Sequence, residues 1–92
     1  MPERSVRIVN EAGIHARPAA EIVKTAARFT SEITVVKDGL DVNAKSIMGV
    51  MMLAAECGSS VLVKAEGNDA QAALDAIVAV IEGGFGEALG DG

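Results

Sequence analysis

The sequence predicts an α+β open-faced sandwich, in which a four-stranded, mostly antiparallel sheet carries three helices on one face. Short segments of alternating apolar and polar residues, typical of half-buried strands, are interspersed with segments whose apolar residues recur at helical spacing. The order of these segments is βαββαβα. Because 92 residues leave room for one domain, we expect that domain to span residues 1–92.

The first strand and the first helix are separated by a loop of turn-forming residues. Residues 4–9 alternate, with Val6 and Ile8 on one face, and therefore predict a strand. Residues 10–13 include Asn and Gly, which favour a turn. Beyond them, apolar side chains recur every three or four positions, which predicts a helix over residues 16–29.

A hairpin and a short helix come next. Residues 33–36 and 40–42 are predicted strands, and the Asp38-Gly39 dipeptide between them suits the positive φ angles of a tight hairpin turn. Ser46 then precedes an apolar run and is predicted to be the N-cap of a short helix that ends near Gly58. The hairpin is therefore expected to lead directly into the second helix.

The last strand and helix precede a glycine-rich end. Residues 60–65 predict the fourth strand. Asn68 or Asp69 is expected to cap the third helix, and Gln71 stands at the spacing from Asn68 that permits a capping box. Residues 83–92 are rich in glycine and are expected to form a loose tail.

Composition excludes several classes of protein. Two aromatic residues and a formal charge of −5 are poorly suited to nucleic-acid binding, which uses aromatic platforms and basic surfaces. The single cysteine, Cys57, forms no internal disulfide or CxxC motif and is expected to be a small buried side chain. No signal peptide is visible, and the longest apolar stretch is well short of the ~20 residues that span a bilayer. We therefore expect a cytoplasmic monomer with no nucleic-acid or membrane partner.

The only histidine, His15, stands between a glycine loop and the start of the first predicted helix. Unpaired N–H groups at a helix N-terminus bind anions, and Arg17 adds a positive charge whose planar donors suit phosphate oxygens. Pro18 suits the first helical turn, where a missing N–H costs little. A neutral imidazole nitrogen is a nucleophile toward a phosphoryl group. This pattern is typical of a phosphoryl or anion site.

The same spacing leaves a simpler interpretation open, in which His15 is a surface residue without a chemical role. A metal site is disfavoured, because the sequence has no second histidine, no paired cysteines and no Glu-x-x-His motif. We therefore expect no metal and no cofactor. Spacing alone does not decide between the anion site and the inert surface histidine.

Two segments resemble a known family and bear on this choice. Gly-Ile-His-Ala-Arg-Pro-Ala-Ala at residues 13–20 is similar to the active-site signature of HPr, the histidine-containing phosphocarrier family of the bacterial phosphoenolpyruvate-dependent sugar phosphotransferase system. Lys-Ser-Ile-Met-Gly-Val-Met-Met-Leu at residues 45–53 resembles the second signature of that family, around its regulatory serine. The similarity extends over residues 6–82 and implies an HPr-like fold.

The resemblance implies a phosphoryl carrier with no turnover of its own. His15 would accept a phosphoryl group on Nδ1 from phospho-enzyme I and pass it to a histidine of an enzyme IIA. Arg17 would steady the phosphoryl oxygens together with the backbone N–H groups of Ala16 and Arg17, at the helix start that Pro18 pre-forms. An exposed, shallow site would suit a carrier that has to release its cargo.

Ser46 has two interpretations that are compatible with each other. As an N-cap, a serine stabilises a helix by ~1 kcal/mol. The resemblance also implies phosphorylation of Ser46 by an HPr kinase/phosphorylase, and a transcription regulator as a further partner. A phosphate there would be tolerated at the helix N-terminus and would oppose docking of acidic partners.

The methionine-rich face of the second helix also has two interpretations. Helical spacing alone favours burial of these side chains in the core. The resemblance implies instead an exposed docking face for enzyme I and enzymes IIA, made of Ala20, Lys24, Ile47, Met48 and Met51, beside Arg17. On that interpretation the inward side would be supplied by Val50, Met52, Leu53 and Ala55.

One position departs from the family pattern. Many relatives carry Ser, Thr or Asn where this chain has Ala12, so the orientation of His15 is expected to rely on backbone groups or to be looser. Three alternatives to the transport phosphocarrier stay open: a regulatory-only paralogue of the nitrogen-related or Ser46-dependent kind, a small α+β enzyme such as an acylphosphatase, and a ferredoxin-like ligand-binding domain. The arginine-containing phosphate loop of acylphosphatases is not found.

Overall fold

The computed structural model describes residues 2–90, and the rest of the predicted domain, residues 1, 91 and 92, lies outside the described residues. The elements confirm the predicted order and fold class. They are β1 (Glu3–Arg7), α1 (Ala16–Ala26), β2 (Glu32–Lys37), β3 (Leu40–Asn43), α2 (Ile47–Met52), β4 (Ser60–Glu66) and α3 (Ala70–Glu82). None of these helices has the length and apolar character needed to cross a bilayer.

The four strands form one sheet in the order β1-β4-β2-β3, and every neighbouring pair is antiparallel. Val6 pairs with Val61, and Val35 pairs with both Val63 and Val42. These valines are buried on the face that the helices cover. The alternation that predicts each strand therefore also determines which of its side chains enter the core.

Both early helices are shorter than predicted. α1 ends at Ala26 rather than residue 29, because the N–H groups of Arg28 and Phe29 bond carbonyls three residues back and tighten the chain into a turn. α2 ends at Met52 rather than near Gly58, since Ala54 has a φ of +48°, which is incompatible with a continuing helix. Turn geometry of this kind has no clear periodic signal in the sequence.

The predicted capping box at the start of α3 is wrong. Asp69 is the N-cap residue, but its side chain makes no capping hydrogen bond, and Asn68 precedes the cap. The amide of Gln71 donates instead to Asp75, one helical turn ahead, over 3.0 Å. The carboxylate of Asp69 is engaged elsewhere, by donors from the loop between α1 and β2.

Asp69 joins the start of α3 to that loop. Its oxygens accept the backbone N–H groups of Thr30 at 3.0 Å and Ser31 at 2.9 Å, and both hydroxyls donate to it as well. These hydrogen bonds lower the pKa of Asp69 from 3.8 to about 2. The Ser31 hydroxyl has the largest effect and the Thr30 N–H the next largest, while partial desolvation opposes the shift. The contact therefore holds two segments together as long as Asp69 is ionised.

The expected loose tail is wrong for residues 83–90, which we call the C-terminal segment. Its first part is a 3₁₀ turn, Gly84–Gly86, in which the Phe85 side chain is buried against the core. The Glu11 N–H donates to the Ala88 carbonyl over 2.8 Å, and the Gly90 N–H donates to the Val9 carbonyl over 2.9 Å. One buried aromatic ring and these backbone bonds offset the flexibility of the glycines.

Candidate phosphoryl site

His15 occupies the N-cap position of α1 with extended backbone angles, and 45% of its side chain is exposed. No side chain caps this helix. Ala16 and Arg17 are its first residues, so their N–H groups have no acceptor within the helix, and Pro18 has no N–H. The helix therefore begins with unpaired donors beside an accessible imidazole, as the sequence predicts.

The loop before His15 is held against the turn that follows α2. The Ile14 N–H donates to the Ala55 carbonyl over 2.8 Å. Gly13 has a φ of +70°, and a Cβ there would lie 2.6 Å from the same carbonyl oxygen. Only glycine fits this close approach without strain. The backbone at His15 is thus placed by residues 40 positions further along the chain.

A carboxylate from the C-terminal segment contacts the imidazole. Nε2 of His15 lies 2.9 Å from Oε2 and 3.1 Å from Oε1 of Glu87. Nη1 of Arg17 lies 3.7 Å from Oε2. Arg17 is largely exposed, whereas the Glu87 side chain is 13% exposed. The carboxylate of Glu87 therefore lies close to both His15 and Arg17 at the start of α1.

Asn10 supports Glu87 from the loop side. Its amide group is buried and donates to Oε1 of Glu87 over 3.0 Å and to the Gly13 carbonyl over 2.7 Å. Within residues 2–90, Oδ1 of Asn10 is buried without a hydrogen-bond partner. Asn10 thus connects the glycine turn to the C-terminal segment at the cost of one unsatisfied acceptor.

The surroundings of Glu87 keep it ionised. The hydrogen bond with His15 is the main cause of the lowered pKa of Glu87, which lies below 4.5, and the Asn10 hydrogen bond and the nearby Arg17 lower it further. Partial desolvation of the carboxylate opposes them. The contact opens onto a cleft of about 540 Å³, whose lining residues are Glu11, Ala12, His15, Arg17, Glu87 and Ala88. A small anion can approach His15 through this cleft.

The expectation that His15 is oriented by backbone groups or is looser, for want of a polar side chain at position 12, is wrong, because a side chain contacts its ring. Ala12 is exposed, and the polar contact comes from Glu87. Sequence reasoning missed both Glu87 and Asn10. The one signal was Phe85, since a large apolar residue among glycines indicates a segment that packs against the core.

Ser46 is the N-cap of α2, as predicted. Its Oγ accepts the Gly49 N–H over 3.1 Å. A Cβ at Gly49 would lie 3.3 Å from that oxygen, so glycine leaves space around the hydroxyl. The side chain is partly exposed, beside a helix whose other residues are mostly on the surface.

The side chains predicted to form the docking face are exposed. Met48 is 77% exposed, and Ile47 and Met51 are more than 40% exposed. Ala20 and Lys24 are also exposed, on α1, which packs against α2. The expectation that Met52 faces inward is wrong, because its side chain is 66% exposed. Val50 is the one residue of the six-residue helix α2 that is buried.

No three histidine, cysteine, aspartate or glutamate side chains of residues 2–90 converge on a point that could hold a metal ion. Cys57 is a free thiol and is partly, not fully, buried.

An antiparallel open-faced sandwich with one exposed histidine at an open helix N-terminus, and an arginine two residues beyond, defines a class of phosphoryl-carrying protein. The family model described as the PTS HPr component phosphorylation site matches residues 2–83. The chain belongs to this PTS-HPr family, whose members are phosphocarriers of the phosphotransferase system and not enzymes themselves.

Named relatives are similar over most of the chain. The phosphocarrier protein HPr of Treponema pallidum is 53% identical over 87 residues, which cover 95% of this chain and 99% of the relative. The HPr-like protein Crh of Halalkalibacterium halodurans is 52% identical over 82 residues, 89% of this chain and 98% of the relative. A crystal structure of HPr from Thermoanaerobacter tengcongensis, 50% identical, superposes with a TM-score of 0.90 over 95% of this chain and 98% of that one. Membership of this family excludes the two alternatives of an acylphosphatase-like enzyme and a ferredoxin-like ligand-binding domain.

Proposed function

We propose that this chain accepts a phosphoryl group on His15 from phospho-enzyme I and passes it to enzyme IIA components. One observation carries the proposal. The exposed imidazole lies at the open N-terminus of α1, where the first two N–H groups have no helical acceptor, and the Arg17 side chain lines the same cleft as His15. We also propose that the protein is a cytoplasmic monomer.

In the proposed transfer, the lone pair of Nδ1 attacks phosphorus, the new N–P bond forms, and the bond from phosphorus to the donor breaks with its electron pair staying on the donor. The N–H groups of Ala16 and Arg17 and the Arg17 side chain are the groups available to the phosphoryl oxygens. These contacts are exposed to water, which suits a group that has to be released again.

The test of this proposal is direct. The protein is incubated with enzyme I, Mg²⁺ and phosphoenolpyruvate, and we expect an acid-labile, alkali-stable phosphate that is absent from His15→Ala. Arg17→Ala is expected to slow its formation, since one cationic hydrogen-bond partner of the phosphoryl group is lost. A wild-type protein without label would overturn the proposal.

The docking face is proposed to bind enzyme I and enzymes IIA. Exposed methionines provide an adaptable apolar contact, and Lys24 and Arg17 give a local positive rim in a chain whose net charge is −5. Met48→Glu should weaken transfer from enzyme I about 10-fold or more, as expected for an interface residue of about 1.4 kcal/mol. The matched control is Leu40→Glu, on β3, whose side chain is also exposed. Equal effects of both variants would contradict this assignment.

We propose that Ser46 is a regulatory phosphorylation site, with HPr kinase/phosphorylase and a transcription regulator as partners. The Oγ of Ser46 already accepts the Gly49 N–H at the N-terminus of α2, so added negative charge there is compatible with the fold. Ser46→Asp should reduce transfer from enzyme I, because the charge lies beside Ile47 and Met48. Ser46→Asn keeps a capping side chain without the charge and is the control. Wild-type transfer rates in Ser46→Asp would contradict the regulatory role.

A regulatory-only paralogue is the second candidate, supported by the similarity to HPr-like protein Crh. The presence of His15 favours the carrier role, because His15 is the residue such a paralogue can lose. Phosphorylation by enzyme I followed by transfer to an enzyme IIA separates the two candidates. Label that forms on His15 but passes to no enzyme IIA would favour the regulatory protein.

A further inference from the structure

The most informative feature outside the family signatures is the contact between Glu87 and Nε2 of His15. The two residues are 72 positions apart, so the contact exists only because the C-terminal segment packs across the loop before α1. Two backbone hydrogen bonds hold that segment, at Glu11 and at Gly90, and the Asn10 amide holds the carboxylate itself. The imidazole is therefore oriented from outside its own helix.

The chemistry of the two groups determines where the hydrogen is. A carboxylate only accepts hydrogen bonds, so the hydrogen between the groups belongs to Nε2. In a neutral imidazole this leaves the lone pair on Nδ1. Among the side chains and backbone groups of residues 2–90, none is hydrogen-bonded to Nδ1. The nitrogen opposite the carboxylate is thus the free nucleophile.

We propose that Glu87 is a positioning residue for phosphoryl transfer: it accepts the Nε2–H hydrogen bond, holds neutral His15 in the tautomer with a free Nδ1, and stabilises the charged ring that forms. The proposal rests on the proposed function of His15 and adds a residue from outside both family signatures.

The charge balance of phosphoryl transfer explains how Glu87 would assist it. When neutral imidazole attacks phosphorus, the hydrogen stays on Nε2 and the ring gains a positive charge as the N–P bond forms and the donor bond breaks. Among residues 2–90, Glu87 is the carboxylate in contact with the ring, with Oε2 at 2.9 Å from Nε2. A carboxylate that orients a histidine and stabilises its cation acts in the same way in Ser-His-Asp triads. Return of the phosphoryl group to an acceptor reverses each of these changes.

The other ionisable groups of the cleft identify a matched control. Arg17 contacts Glu87 at 3.7 Å, and Glu11 lines the same cleft without a hydrogen bond to His15 among the described residues. Glu11→Gln and Glu87→Gln remove the same charge from the same cleft. Only the second replaces the group in contact with Nε2, a carboxylate that can only accept, with an amide that can also donate.

The test uses the fact that His15 is the only histidine, so its ring nitrogens give unambiguous ¹⁵N signals. At a pH where the spectrum shows a neutral ring, the wild type is expected to be almost wholly the Nε2–H tautomer. Glu87→Gln should move the tautomer ratio severalfold toward that of a histidine peptide, because a glutamine amide both donates and accepts. Glu11→Gln should match the wild type. Far-UV circular dichroism of each variant shows that the fold is kept.

The transfer rate gives the second measurement. Glu87→Gln is expected to slow phosphorylation by enzyme I roughly 10-fold, the lower end for loss of a group that orients a reactive histidine. An unchanged tautomer ratio in Glu87→Gln, an equal change in Glu11→Gln, or an altered ratio with an unaltered transfer rate would each overturn the role of Glu87. A wild type that takes no phosphate would contradict the function of His15 instead, and the tautomer measurement does not depend on that outcome.

Discussion

Asp69 and Glu87 are two carboxylates that each join segments distant in sequence, and they differ in what they bind. Asp69 accepts backbone N–H and hydroxyl groups of Thr30 and Ser31, none of which changes its protonation near neutral pH. Glu87 accepts hydrogen bonds from an amide and from the imidazole that we propose carries the phosphoryl group. The pKa of each carboxyl lies below its ordinary value.

The difference separates a structural contact from a functional one. Donors that stay the same in every state of the protein make the Asp69 contact a permanent part of the fold. The donor to Glu87 is His15, which is also the proposed nucleophile, so the Glu87 contact is expected to change when His15 is phosphorylated. We therefore expect changes near Asp69 to alter stability with little effect on transfer, and changes near Glu87 to do the opposite.

The largest effect is expected at Gly67, beside the Asp69 contact. Gly67 has a φ of +143°, and a Cβ there would lie 2.6 Å from Oγ and 2.8 Å from Cα of Ser31. Gly67→Ala should reduce the free energy of unfolding by about 2–4 kcal/mol, through backbone strain and displacement of Ser31. Urea unfolding followed by far-UV circular dichroism measures it, since the chain has no Trp or Tyr.

The control for Gly67→Ala lies in the C-terminal segment. Gly86 has a φ of +73° with open space around it, so Gly86→Ala carries the strain of a left-handed residue alone, about 1–2 kcal/mol. Equal losses in the two variants would show that crowding of Ser31 contributes nothing.

The next largest effect concerns acid stability at Asp69. Its pKa is about 2 in the folded protein and 3.8 ordinarily, so ionised Asp69 stabilises the fold above about pH 4, and this stabilisation is lost between pH 4 and 2. Asp69→Asn should melt several degrees below the wild type at neutral pH. The gap should narrow as the pH falls toward 2, and thermal melts at stepped pH measure it. A gap independent of pH would contradict the carboxylate's role.

A substitution at Asn10 tests whether its amide holds the Glu87 carboxylate in place. Asn10→Ala removes two hydrogen bonds donated by Nδ2 and also the unsatisfied Oδ1, so we expect a net loss of only ~1 kcal/mol of unfolding free energy. The same variant should shift the His15 tautomer ratio part of the way toward that of Glu87→Gln. Loss of stability with an unaltered ratio would show that Glu87 does not depend on Asn10.

The smallest effect on stability is expected for Glu87→Gln. The lowered pKa of Glu87 means that its ionised form stabilises the fold above about pH 4.5, and that this contribution fades as the pH falls below that value. Its partners His15 and Arg17 are partly exposed, so added salt should weaken the contribution. Melts at two salt concentrations, beside those of Asp69→Asn, compare the two carboxylates. A larger loss at Glu87 than at Asp69 would reverse the assignment of structural and functional contacts.

Local patterns in the sequence were sufficient for the order of elements and for the start of α1. Alternation predicts the strands because each strand buries one face. Helical spacing alone favoured burial of Met48, and its exposure is a result of the packing of α2, which buries only Val50. The ends of α1 and α2 could not be predicted, because they depend on turns such as the one at Ala54. His15 and Arg17 were found because they are adjacent in sequence to the helix start they use.

By itself, then, the sequence determined the fold class, the histidine at an open helix N-terminus and the serine cap of α2, each of which depends on residues within one or two turns of each other. The tertiary structure alone decided that Asp69 binds the Thr30–Ser31 backbone and that Glu87 reaches His15. These contacts join residues 38 and 72 positions apart. The physical reason is that such contacts depend on which backbones the packed core brings together, and no local periodicity records that distance.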